Sequence, residues 1–144
     1  MKTKKILRIK RNISIMLLLA ITALALAGCS STKLSDSFDE AAVKEAAQKA
    51  IEYMLAGEYE ACAAMMSEEM LAALPAETLA ASVEAVTAQT GAFQEYKSTA
   101  VIGQKGSDGK DYAVAVVVAA FEKGNVTYQV SFDTEMEMIG IWMK

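Results

Sequence analysis

The chain has 144 residues and is mildly acidic, with 14 Lys and Arg against 18 Asp and Glu, and it contains no histidine. That absence excludes a Ser-His-Asp or Cys-His catalytic set and leaves a zinc centre without its usual nitrogen ligand. The bases are unevenly placed: Lys2, Lys4, Lys5, Arg8, Lys10 and Arg11 all fall in the first twelve residues, which hold no acid.

Behind that basic start, residues 13–28 (ISIMLLLAITALALAG) carry no charge. A basic head, a short apolar run and small residues at its exit are the parts of a secretory signal. The run is shorter than the roughly 20 residues a membrane-spanning helix needs. Its end, Leu26-Ala27-Gly28-Cys29, resembles the lipobox of bacterial lipoproteins. The resemblance implies cleavage before Cys29, acylation of its sulfur and anchoring on the outer side of a membrane. Two acyl chains hold stably where one holds marginally. The expected organisation is therefore a signal peptide over 1–28, a lipidated Cys29 with a polar tether over 29–37, and one domain over 38–144. Loss of the leader leaves 8 bases against 18 acids, a formal charge of −10. Such a chain lacks the basic footprint of a nucleic-acid binder and is expected to stand off anionic lipid. Residues 30–37 (SSTKLSDS), read as flexible coil, would span about 16 Å.

Ser37-Phe38-Asp39-Glu40 fits a capping box, with Ser37 as the N-cap and Glu40 reaching back. The helix behind it has Val43, Ala46, Ala47, Ala50, Ile51, Met54 and Leu55 on one stripe and stops at Gly57. A second helix starts near Glu58, with Tyr59, Cys62, Met65 and Met66 on its apolar face. Ser67 before Glu68 and Glu69 reads as a fresh N-cap, so a kink is expected there. Pro75 suits the first position of a third helix over 75–90, with Leu79, Val83 and Val86 inward.

From Phe93 the period becomes that of strands. YKSTAVIG is followed by the polar turn QKGSDGKD. YAVAVVVAAFE is apolar on both alternating sides, which predicts a central strand covered on both faces. A tight KGN turn leads to VTYQVSFD, with Val126, Tyr128, Val130 and Phe132 on one side and Thr127, Gln129, Ser131 and Asp133 on the other. MEMIGIWM closes the chain. Helices followed by consecutive antiparallel strands predict one α+β domain, its helices packed on a four-stranded sheet.

In this order, YMLAGEYEACAAMMSEEMLAALPAETLAASVEAVTAQTGAF, FEKGNVTYQVSFD and IGIW resemble a bacterial family catalogued as domain of unknown function 3887, over about residues 40–143. The resemblance implies a cone-like fold similar to the nuclear transport factor two superfamily, with a curved sheet wrapped on helices. In that superfamily the concave sheet face often lines a ligand cavity.

Candidate chemistry is sparse. Cys62 sits among small apolar residues, and with Cys29 acylated it has no disulfide partner, so a buried structural thiol is expected. Gly103, Gly106 and Gly109 lack the spacing of a dinucleotide fingerprint and read as turn glycines. Asp108 and Asp111 lack the acidic ladder of a calcium loop, so no metal or cofactor is expected. Asn125 opens a sequon but serves a hairpin. Met54, Met65, Met66 and Met70 suit a core or an adaptable surface. Thr127, Gln129, Ser131 and Asp133 form a polar row that lines a cavity or simply a sheet face. The favoured expectation is a non-enzymatic, lipid-anchored extracytoplasmic module binding a small apolar ligand, a peptide or an envelope protein. The alternatives are a small cavity hydrolase or isomerase using Asp133 and a tyrosine such as Tyr128, and a purely structural envelope subunit.

Overall fold

The computed structural model describes residues 32–144; the leader and Cys29 lie outside the described residues. Four helices come first, α1 (Glu40–Ala56), α2 (Tyr59–Ala63), α3 (Glu68–Ala73) and α4 (Ala76–Thr90). Four strands follow, β1 (Phe93–Lys105), β2 (Asp111–Phe121), β3 (Gly124–Phe132) and β4 (Met138–Met143). They form one open antiparallel sheet in the order β1-β2-β3-β4. The α+β arrangement is the one the sequence predicts.

The helix boundaries shift for local reasons. Asp39, not Ser37, caps α1: its backbone is extended and its carboxylate accepts from the Ala42 N–H at 2.9 Å. Ser37 instead lies in a turn closed by the Phe38 N–H donating to the Ser35 carbonyl, which delivers Phe38 to the core. Phe38 and Val43 then occupy the two positions of a hydrophobic staple. Gly57 ends α1 in the left-handed conformation (φ 76°), and the Glu58 N–H reaches back to the Tyr53 carbonyl at 2.8 Å. Pro75 precedes the first turn of α4 rather than joining it, its carbonyl accepting from the Thr78 and Leu79 N–H groups.

The expected kink at Ser67 is a full break. Between α2 and α3 the backbone turns out to pair with β4: Met138 N–H donates to Met65 and Ser67 N–H to Met138. Those bonds replace the helical ones that a continuous helix would have kept. Ser67 then caps α3 through the Met70 N–H.

Residues Ala113, Ala115, Val117 and Ala119 of β2 and Val126, Tyr128, Val130 and Phe132 of β3 face the helices and are buried. They pack with Val43, Ala47, Ile51, Met54 and Leu79 in one core. Small Ala on β2 opposite bulky residues on β3 lets α1 lie close to the sheet. Met54, Met66 and Met70 are buried in this core and Met65 packs against it, so the methionine cluster is filling. Cys62 is buried too.

β2 is covered on only one side. Its other face, Val116, Val118 and Ala120, is half-buried rather than enclosed, with Val114 buried among its neighbours. The sequence gives the same apolar signal for a double-covered strand and for an apolar open face.

The tether also departs from expectation. Thr32 exchanges two hydrogen bonds with Gly103 on the free edge of β1, both 2.9 Å. The chain then passes so close that a Cβ on Gly103 would meet the Lys33 carbonyl oxygen at 2.4 Å. Gly103 is therefore a strand glycine that admits a neighbouring backbone, not a turn glycine. Contact with the sheet among the described residues therefore begins at Thr32. Among the described residues no helix is long and apolar enough to cross a membrane.

Candidate functional site

The polar row of β3 alternates with core residues, so Thr127, Gln129 and Ser131 point away from the helices. Directly opposite residues of antiparallel strands share a face, which builds the rest of that surface. Gln129 lies between Val116 and Trp142, and Val116 pairs in turn with Ala100. One rung along, Ser131 lies between Val114 and Gly140, and Val114 pairs with Ile102. Thr127 pairs with Val118, which pairs with Ser98.

This open face is about 14 Å across its four strands. An aliphatic centre runs from Ile102 through Val116 and Val118, with the β3 polar row and Trp142 beyond it. Trp142 is 49% exposed and Ile102 37%. Across these three rungs no outward residue is acidic, and the one charged member is Lys144, opposite Thr127 at the end of its rung. The charged groups sit at the corners, in the Lys97–Glu95 ion pair and at Lys144, which pairs with Thr127.

The fourth residue of the row serves elsewhere. Asp133 Oδ1 accepts the Glu135 and Glu137 N–H groups at 3.0 and 2.9 Å and so builds the β3–β4 loop, where Met136 takes a positive φ. It also borders an open cleft of about 940 Å³ with Ser67, Glu68, Asp108, Lys110 and Tyr112. Asp108 is itself a turn-former. Its carboxylate accepts the Tyr112 hydroxyl at 2.7 Å and the Lys110 N–H at 3.0 Å. The Tyr112 bond, then the Lys110 N–H, hold Asp108 below the usual carboxylate range. Asp111 is held low chiefly by its bond from Lys105. Among the described residues no three His, Cys, Asp or Glu side chains converge to hold a metal ion.

Chemistry by a nucleophile finds little here. Burial pushes the Cys62 thiol up to about 11, which keeps it protonated near neutral pH. Tyr128 is pushed up to about 12 by burial and points into the core, on the opposite side of β3 from Asp133. The structure does not bring that pair together.

A family model described as "Protein of unknown function (DUF3887)" matches residues 47–141. The chain belongs to this family. No curated protein matches it. An NMR structure of a protein from Ruminococcus gnavus ATCC 29149 is similar at 24% identity and a TM-score of 0.67, covering 78% of this chain and 97% of that one. At that identity the likeness concerns the fold. The docked Thr32 segment precedes the residues that match DUF3887, and no local pattern around it signals the docking. The apolar open face did leave a trace, in the unbroken Ala/Val run of β2.

Proposed function

We propose that this DUF3887 protein is a lipid-anchored module of the extracytoplasmic face of a bacterial membrane, acting by contact and not by catalysis. Its helix-then-sheet order supports the further reading that the domain is similar in architecture to the nuclear transport factor two superfamily. The side of the sheet that faces the helices is filled by Tyr128, Val130, Phe132 and their partners. A ligand would therefore meet the open side.

One observation carries the proposal. In a chain with 18 acids, three successive rungs of a four-stranded sheet present Ile102, Val116, Val118 and Trp142 with no acid among their partners and a single cation, Lys144, at the rim. The solvated face of an antiparallel sheet is normally polar, and a contiguous apolar patch marks a contact surface. The lipobox-like Leu26–Cys29 supplies the anchor in this reading.

The test has two parts. Mass spectrometry of the protein from its own cells is expected to find a mature N-terminus at Cys29 bearing acyl groups. A photo-crosslinking residue at Gln129 is expected to capture lipid or protein, while one at Glu84 on α4 captures little. Equal, sparse capture at both positions would refute the contact surface.

A further inference from the structure

We infer that the partner of the open sheet face is the membrane itself: the face formed by Ile102, Val116, Val118 and Trp142 lies on the headgroup–acyl boundary of the leaflet that holds the anchor. The inference rests on the lipid-anchored reading above and adds to it an orientation and a partner.

The first support is chain length. Thr32 is fixed to Gly103 by two hydrogen bonds, and Cys29 is three residues earlier. An extended chain spans at most about 3.6 Å per residue, so the anchored sulfur is tied within roughly 11 Å of backbone from the β1 edge. The expected stand-off of a free tether is not available. The β1 edge sits at headgroup level, and Ile102, next to Gly103 and pointing to the open side, sits there with it.

An edge held at the surface can lay down either the helices or the open sheet face. Charge separates these choices. Residues 36–92, which hold the helices, carry eleven Asp or Glu and two Lys. Residues 93–144, which hold the sheet, carry seven and five. Nearly the whole negative charge of the mature chain therefore belongs to the helical layer, which anionic lipid repels. The centre of the open face has no charge to desolvate, and the one charge on its three rungs is the Lys144 cation opposite Thr127 at the margin, which anionic lipid attracts.

The third support is Trp142. It is half-exposed on β4, at the opposite side of the sheet from the anchored β1 edge. An indole combines an apolar ring with one N–H donor and suits the boundary between headgroups and acyl chains. With the anchor at β1 and Trp142 across the sheet, the two contacts fix the plane of the face rather than one edge of it. The acyl chains supply the affinity, and the face supplies orientation.

Trp142 is the single tryptophan of the chain, which makes the test direct. Acylated mature protein, purified from membranes and checked by mass for its lipid, is reconstituted into phosphatidylcholine–phosphatidylglycerol vesicles. The acyl chains are brominated near the headgroup in one preparation and unmodified in the other. Trp142 emission is expected to shift to the blue and to lose at least half its intensity in the brominated vesicles. Ile102→Glu, at an exposed position, is expected to keep its circular dichroism and its vesicle association but to lose most of that quenching. Vesicle-bound, acylated protein with unquenched Trp142 would overturn the inference, as would full quenching in Ile102→Glu. Unquenched Trp142 shielded in a crosslinked dimer would overturn it in favour of a second copy of this chain. Absence of acyl groups on the purified product would instead sink the anchor reading, and the mass measurement reads that separately.

Discussion

Replacing Gly103 with Ala should lift the Thr32–Leu34 segment off the sheet and leave the core intact. A Cβ at that position would come within 2.4 Å of the Lys33 oxygen, 2.8 Å of its carbonyl carbon and 2.9 Å of the Leu34 Cα. All three are backbone atoms, so no rotamer change relieves the clash. The segment must move, and with it go the two 2.9 Å hydrogen bonds to Thr32. Each is worth about 1 kcal/mol net, and partial exposure of the half-buried Leu34 adds about 1 kcal/mol. Alanine recovers about 1 kcal/mol because it is less costly than glycine in a strand. The net loss is about 2 kcal/mol, and it cannot exceed the docking free energy of a segment free to leave. Thermal unfolding should fall by about 8 °C. The Thr32 amide should exchange about 30-fold faster, and trypsin should cut after Lys33 in the variant before it cuts the parent. A variant whose Thr32 and Gly103 amides stay protected, with melting within about 2 °C of the parent, would refute the close approach and the short effective tether.

Other substitutions test the local devices one at a time. Asp39→Ala should cost about 1 kcal/mol, seen as a melting shift of about 4 °C, and Asp39→Ser should restore most of it. The Tyr96 hydroxyl is buried without a partner among the described residues, so Tyr96→Phe should stabilise the domain by about 1 kcal/mol in urea unfolding. Asp133→Ala should cost about 1–2 kcal/mol by stripping two N–H groups of their acceptor, whereas Asp133→Asn, which keeps an oxygen there, should stay near the parent. For pH, the Cys62 thiol titrates at its ordinary 9.0 when unfolded and at about 11 when folded. The unfolded state gives up its proton first, so this contribution is intact below pH 9 and is lost as pH rises towards 11, by about 2–3 kcal/mol. Denaturation at fixed pH should show that slope, and Cys62→Ala should remove its part between pH 9 and 10, before the Tyr128 phenol begins to add its own.

Element type was legible because each element satisfies one strong local rule. The stripe from Val43 to Leu55, the Gly57 stop and the alternation of Val126 to Phe132 each follow from a period and a conformational preference. What escaped was decided by residues far apart in the chain. Ser37 and Asp39 are both good caps, and only the burial of Phe38 chooses between them. The break at Ser67 needs Met138 as a backbone partner, 71 positions away. The docking of Thr32 needs Gly103, and neither residue announces the other. The Val run of β2 has the pattern of an enclosed strand because burial and a partly exposed apolar surface use the same residues. The polar row was legible as a row, but its fourth member was not. Asp133 ends a strand and turns its carboxylate onto the amides of the loop it begins, a role that period-two alternation does not encode.

The open face is best understood from what it omits. Valine on a partly exposed strand follows from strand preference alone, so Val116 and Val118 by themselves say little. Their neighbours decide the matter. Ser98, Ala100 and Ile102 on one side and Thr127, Gln129 and Ser131 on the other carry no formal charge, although the sheet segment has five lysines and seven acids to place. Those charges gather in turns and at corners: Lys105 with Asp111, Lys97 with Glu95, Glu122 at the hairpin. Keeping charge off the face avoids the desolvation cost that any close contact would impose, while hydroxyls and an amide keep it wettable when the contact is broken. A face that only meets water would instead alternate polar residues along its central strands. The distribution of charge within the domain, more than its net value, therefore sets this side of the sheet apart from the helical layer.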